Sequence, residues 1–300
     1  MILNSENLQA IFQNLKLIYN DALSTAPSVY SEIATLSPSN SGQEIYPWLG
    51  SFPKMREWVD EKQIKKLKAH SYTLVNKPFE ATIELRRENI EDDSVGILSP
   101  QVKAMAWAAK AFPDDMVFDL LNNGFTNKCY DGAAFFSASH KVGSGTVSNT
   151  SADNLACDTQ ANALGSLGKA FTALKKMKDS NGYSLGIVPS LLVVPPALSF
   201  VANTLLVSDK LDDGKANPFK GAFKILEDNR ITNDKYWFVL DTTKVLKPLI
   251  YQERKAPEFV PQVSVESDTV FNRGVYRYSV EARGNAGYGF WQMAFGSTGT

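Results

Sequence analysis

Between Lys66 and Asn123 the chain sets a long polar, strand-forming stretch directly before its most apolar helical one, and the first stretch has no core of its own to fold against. Leu67 to Val75 (LKAHSYTLV) and Phe79 to Arg87 (FEATIELRR) are rich in Thr, Val, Ile and aromatic residues and flank Asn76, Lys77 and Pro78, residue types that favour a reversal. This pattern predicts a two-stranded antiparallel hairpin. In its second strand Ala81, Ile83 and Leu85 alternate with Glu80, Thr82, Glu84 and Arg86, so one face is apolar and the other charged. A ribbon about 30 Å long with two open edges is marginal alone in water. It must lie on the body of its own subunit or on a neighbour.

The acidic turn Glu91-Asp92-Asp93 and Gly96 lead to Ser99, a good N-cap, and Pro100, a good first helical residue. Val102, Met105, Ala106, Ala109 and Phe112 follow at helical spacing, Pro113 is expected to kink or interrupt the helix, and Asn123-Gly124 stops it. This is a long helix laid along a core.

With 300 residues, 44% of them hydrophobic and 21% charged, the chain is a soluble globular type with material for more than one lobe. No run approaches the roughly 18 apolar residues of a membrane span, and MILNSENLQA lacks the basic and apolar blocks of a secretory signal, so the chain is expected to stay in the cytosol. Two cysteines, Cys129 and Cys157, make no disulfide framework, and with only His70 and His140 no zinc-type spacing stands out. No metal or cofactor is expected. A formal net charge of −1 argues against binding nucleic acid through bulk positive charge.

Residues 1–24 carry Leu8, Ile11, Phe12, Leu15, Ile18 and Tyr19 at helical spacing, whereas 25–45 are rich in Ser, Thr and Pro and read as an extended arm. Trp48, Phe52 and Trp58 in YPWLGSFPKMREW read as plugs for a core or an interface. In TNKCYDGAAFFSASH, Asp131, Ser137 and His140 name the members of a hydrolase triad and Cys129 with His140 a thiol dyad. No G-x-S-x-G elbow supports them, and His140 reads as a structural hydrogen-bonding residue.

Lys141 to Ala156 reads as a mobile surface loop. A second helix is predicted over about Thr159 to Lys178, capped by Asp158. A buried strand follows at Leu191–Val194, and Pro195-Pro196 starts a helix over 197–206. Ser208 to Phe219 reads as a projecting charged loop. Tyr236–Leu240, Val245–Tyr251 and Gln262–Glu266 are expected strands, with 252–261 a polar connection. Val275 to Arg283 alternates and Gly287 to Phe295 forms a last apolar strand.

The blocks YPWLGSFPKMREW, NKPFEATIELRRENIEDDSVG, CYDGAAFFSASH and VYRYSVEARGNAGYGFWQMAFG, in this order over about Glu44 to Gly296, resemble the major head subunit of Mu-like bacteriophages and prophages. The resemblance implies an α+β fold, the tailed-phage capsid fold of the Hong Kong 97 type. Residues 1–44 would be an N-terminal arm, 45–65 and 94–186 a peripheral lobe with a spine helix at 100–123, and 66–93 an extended hairpin loop. Residues 187–262 would be an axial lobe and 263–300 the strands returning to the peripheral lobe.

It further implies self-assembly into hexamers and pentamers of an icosahedral head, with scaffold and portal proteins as partners and double-stranded DNA enclosed without sequence-specific recognition. The site would be a virion assembled in the host bacterial cytoplasm, with no enzymatic activity. The hairpin residues Glu80, Glu84, Arg86 and Arg87, with Trp48 and Trp58, are the candidate inter-subunit contacts. Covalent linkage through Asn76 or Lys77 lacks a partner acid and is not expected. A microbial compartment shell of the same fold, and a soluble hydrolase using Ser137 and His140, are the competing readings.

Overall fold

The computed structural model describes residues 5–49, 72–92, 95–156, 159–264 and 268–300. Phe52, Trp58, His70, Cys157, Asp158, Glu266 and the predicted strand over 67–71 lie outside these.

Helix α1 (Ser5–Thr25) buries the stripe Leu8, Ile11, Phe12, Leu15 and Tyr19 that its spacing predicts. The segment expected as a free arm is docked instead. It forms α2 (Tyr30–Ile33), β1 (Ala34–Pro38) and β2 (Gln43–Ile45), and β1 pairs in parallel with a strand more than 200 residues later, Ala34 opposite Leu249. Weak periodicity hid this because β1 is a short edge strand that buries Ala34 and little else.

The expected hairpin is also rearranged. Strand β3 (Thr73–Val75) pairs with β2, and β4 (Lys77–Arg86) pairs with a C-terminal strand, so the two do not face each other across Asn76–Pro78. Asn76 is buried. Its Nδ2 donates to Ser39 Oγ at 2.8 Å and to the Ser41 carbonyl at 2.9 Å, and its Oδ1 accepts from Gln252 Nε2 at 2.7 Å. A side chain anchored on three sides carries the backbone straight through. The reversal falls between Ile45 and Thr73, which are paired.

After α3 (Arg87–Glu91) comes α4 (Ser99–Asn122), 24 residues long and unbroken at Pro113. An interior proline costs about 3 kcal/mol. Here Val102, Met105 and Ala106 are buried in one core before Pro113 and Val117, Phe118 and Leu121 in another after it. Each fully buried large apolar side chain contributes about 1.5–3 kcal/mol, so packing on both sides outweighs the lost hydrogen bond.

The predicted mobile loop is ordered as β5 (His140–Val142), β6 (Gly145–Val147) and β7 (Thr150–Ser151). Gly143, with φ of +60°, opens a two-residue hairpin turn, and Asn149 is fully buried, its Nδ2 reaching the carbonyls of Phe135, Trp291 and Ala294. Helix α5 (Gln160–Lys175) is capped by Thr159, whose Oγ1 accepts from the Asn162 amide at 3.3 Å.

Strand β8 (Leu191–Val194) leads through a 3-10 turn at Pro196–Leu198 into α6 (Ser199–Val207). The charged stretch after it closes as a hairpin, with Asn217 buried and donating to the carbonyls of Leu205 and Ser208. Strands β9 (Lys224–Glu227) and β10 (Trp237–Leu240) follow.

Strand β11 (Leu249–Gln262) runs unbroken through the segment expected as a connection, with register shifts near Lys255. Over this stretch exposed Arg254, Ala256 and Glu258 alternate with half-buried Glu253, Lys255 and Pro257, the pattern of a half-solvated sheet face rather than a loop. Helix α7 (Asp268–Arg273) precedes β12 (Val275–Tyr288), longer than expected, and β13 (Ala294–Ser297) ends the chain's last sheet.

Two sheets organise these elements. One has the order β1-β11-β12-β4 and presents Leu85, Phe259, Tyr276, Tyr278 and Val280 to α1 and α4. The other, β7-β13-β10-β8-β9, has β8, β10 and β13 buried at every position, the pattern of strands covered on both faces. On it Phe136 stacks on Phe238 at 5.2 Å, and a Cβ on Gly296 would meet the Phe136 ring at 2.8 Å, so glycine permits this approach.

Candidate assembly surface

Strands β1 and β4 are the edges of the four-stranded sheet, and β4 holds the charged residues that the sequence singles out. Glu80, Thr82, Glu84 and Arg86 alternate along its exposed side. Across from them on β12 stand Glu281, Ser279 and Arg277, in register with Glu80, Thr82 and Glu84.

Arg277 donates from Nε (2.9 Å) and Nη2 (2.7 Å) to one Glu84 oxygen, and these bonds hold the Glu84 carboxyl below its usual range. Thr82 Oγ1 lies 3.0 Å from Ser279 Oγ, which donates to the Ala81 carbonyl. Glu80 faces Glu281, which in turn faces Glu258, so three carboxylates cross three strands in a row. Lys255 pairs with Glu258 at 3.0 Å and Glu281 at 3.3 Å. Glu80 accepts a hydrogen bond from Thr82. Like charges directly opposite on a sheet are unfavourable, and this row carries its surplus negative charge at the open edge.

The other candidates go elsewhere. Arg87 begins α3 and pairs with Glu91 one turn on, at 3.0 Å. Trp48 is half-buried against Tyr46 and Phe290, with centroids 5.7 and 5.6 Å away, and so plugs its own subunit's core. The structure therefore brings Glu80, Glu84 and Arg86 onto one face and separates Arg87 and Trp48 from them.

On the opposite side of β4 an apolar groove of about 230 Å³ runs between the sheet and α4, lined by Phe79, Ala81, Ala108, Ala109 and Phe112. Below it Asp114, buried at the middle of α4, gathers the chain. One carboxyl oxygen accepts from Ser28 Oγ and the amides of Val29 and Tyr30 at 2.7–3.0 Å, and the other faces Arg230 at 3.6 Å. Arg230 also pairs with Asp115 and Asp228. N-terminal segment, long helix and second sheet are thus fastened at one point. Local sequence patterns do not reveal this junction, because Asp114 lies 84 or more residues from Ser28, Val29, Tyr30 and Arg230.

The hydrolase constellation is not assembled. His140 is fully buried and stacked on Trp291 with centroids 3.8 Å apart, its Nδ1 is 2.6 Å from Asp131 Oδ2, and its Nε2 is 3.2 Å from the Phe135 carbonyl. Both ring nitrogens are engaged, and Ser137 Oγ lies beside Ser139 instead. Cys129 donates its thiol proton to Asp131 Oδ1 at 3.1 Å, and burial together with that carboxylate pushes the thiol pKa far up, the reverse of the lowered pKa that activates a nucleophilic cysteine.

The family model described as the Mu-like prophage major head subunit gpT matches residues 8–165, 159–231 and 228–300. The chain belongs to this family. It is 31% identical to the Mu-like prophage FluMu major head subunit of Haemophilus influenzae over 96% of this chain and 71% of that protein. It is 30% identical to the major capsid protein of Escherichia phage Mu, over 98% of this chain and 74% of that one. Among solved structures it is similar to a chain of the procapsid of bacteriophage JBD30, with a TM-score of 0.63 and 32% identity, covering 99% of this chain and 76% of that chain. The fold is accordingly the tailed-phage capsid fold of the Hong Kong 97 type, with α4 as its long helix.

Proposed function

We propose that this chain is the structural subunit of a phage head, assembling with copies of itself into hexamers and pentamers of an icosahedral shell around double-stranded DNA. The observation that carries the reading is the family match along nearly the whole chain, joined to a fold shared with a procapsid subunit. Scaffold and portal proteins of the same phage are the proposed assembly partners, in the host cytoplasm, and no catalytic step is proposed.

In this reading residues 1–44 serve as an arm whose β1 is docked on its own subunit, and 187–262 as the axial lobe, with β11 at its end shared with the sheet of β12 and β4. Within 66–93, the proposed inter-subunit element, β3 and β4 are held by their own subunit and the open edge of β4 is what faces a neighbour. Residues 45–65, 94–186 and 263–300 complete the peripheral lobe. Closure into rings calls for heterologous contacts, in which one patch meets a different patch on the neighbour. The charged edge of β4 is the proposed patch. Its exposed, screened charges set register and partner choice more than affinity.

Replacing Glu84 by Lys and Arg86 by Glu together is expected to leave subunits folded by circular dichroism and to abolish shells in sedimentation and electron microscopy. Assembly at the wild-type level would sink the assignment of this edge. Because Glu84 is paired with Arg277 in its own chain, Arg277→Glu is the control. Shells restored by it would mean that the Glu84 charge acts inside the subunit.

A further inference from the structure

We propose that Cys129, Asp131 and His140 form a structural zinc site. One ligand atom from each lies within 4.8 Å of the others, two of the three residues are buried, and thiolate, imidazole and carboxylate are the ligand set zinc takes. The hairpin around Gly132, with φ of +84°, places Cys129 and Asp131 together, and β5 delivers His140 from across the turn.

The ring of His140 is oriented as a ligand. Trp291 lies flat on it at an interplanar angle of 6°, and Nε2 points at the Phe135 carbonyl, the outward hydrogen bond that metal-bound histidines make. With the Nε2 proton given to that carbonyl, Nδ1 faces the Asp131 carboxylate at 2.6 Å and needs either a second proton or a cation between them.

Metal binding leaves no charge uncompensated. One divalent cation held by the neutral imidazole, the Cys129 thiolate and the Asp131 carboxylate gives a cluster with no net charge, the thiol proton and any proton on Nδ1 passing to solvent. Zinc bonds of about 2.0–2.3 Å require the Nδ1–Oδ2 gap to open by several tenths of an ångström. Asp131, whose side chain is 12% exposed while that of His140 is fully buried, is the member at the solvent side, and the movement and a water as fourth ligand are assigned to it.

The test uses the full chain, dialysed against EDTA and titrated with cobalt(II) as a spectroscopic stand-in. One cobalt per chain, with a sulfur-to-cobalt charge-transfer band that zinc abolishes, and a melting temperature raised by zinc, are expected. Cys129→Ser should lose the band, and Cys157→Ser should keep it. Absence of the band in the wild-type chain at saturating cobalt would overturn the proposal whatever the variants do. So would a band that survives Cys129→Ser.

Discussion

Gln252→Leu is the sharpest probe of how the reversal between β2 and β3 is fastened to the body. Gln252 is fully buried on β11. Its Oε1 accepts from the Tyr46 hydroxyl at 2.8 Å, and its Nε2 donates to the Leu74 carbonyl at 3.2 Å and to Asn76 Oδ1 at 2.7 Å. Leucine has nearly the same volume but satisfies none of these. Three buried bonds at about 0.5–1.5 kcal/mol each, less the gain from an added apolar group, give a loss of about 2–3 kcal/mol. With a urea dependence of about 2–3 kcal/mol per M, the unfolding midpoint should fall by about 1 M. Tyr46→Phe removes one of the three bonds and should cost about 1 kcal/mol. Hydrogen exchange should quicken at 43–45 and 73–75 before it does in β8 or β10. A midpoint shift below about 0.2 M, or exchange that stays uniform, would refute the claim that this network anchors the base of the reversal.

Other outcomes follow from the same structure. Leu121→Ala, at a fully buried position of α4, should cost about 2–5 kcal/mol, measured by denaturant unfolding of the subunit. Gly296→Ala should destabilise by about 1–3 kcal/mol through its clash with Phe136, and Phe136→Leu should relieve part of that cost. The Glu44 carboxyl is held below its usual range by donation from Ser39 Oγ, the Asn40 amide and Ser41. A lowered folded-state pKa means a contribution present above the unfolded carboxylate value and lost as pH falls through the folded one. Stability profiles of Glu44→Gln and wild type should therefore converge at acid pH and separate towards neutrality. Shells boiled in detergent should run as single chains on a gel, since the Asn76 side chain is buried and held by three hydrogen bonds within its own subunit.

What could be read from the sequence was local. The spacing of Val102, Met105 and Ala106 locates α4, the alternation of Tyr276, Tyr278 and Val280 locates β12, and LLVV locates β8. Pairing was not local. Nothing in FEATIELRR distinguishes a partner ten residues back from one near residue 280, and the choice is made by Asn76 and Gln252, buried polar residues whose partners lie far away in sequence. Pro113 failed as a breaker because two cores hold its helix from either side. The polar run 252–261 looked like a loop because alternation was masked by Pro257 and the register shifts beside it. Of the proposed contact residues, alternation correctly grouped Glu80, Glu84 and Arg86. It could not see that Arg277 neutralises Glu84 within the subunit, nor that Trp48 belongs to its own core.

The most direct test of the central claim is electron microscopy of the purified full chain, alone and co-expressed with its scaffold, alongside sedimentation. Closed shells, or rings and tubes of the same subunit, are the expected result. A uniform monomer or dimer under both conditions would contradict it.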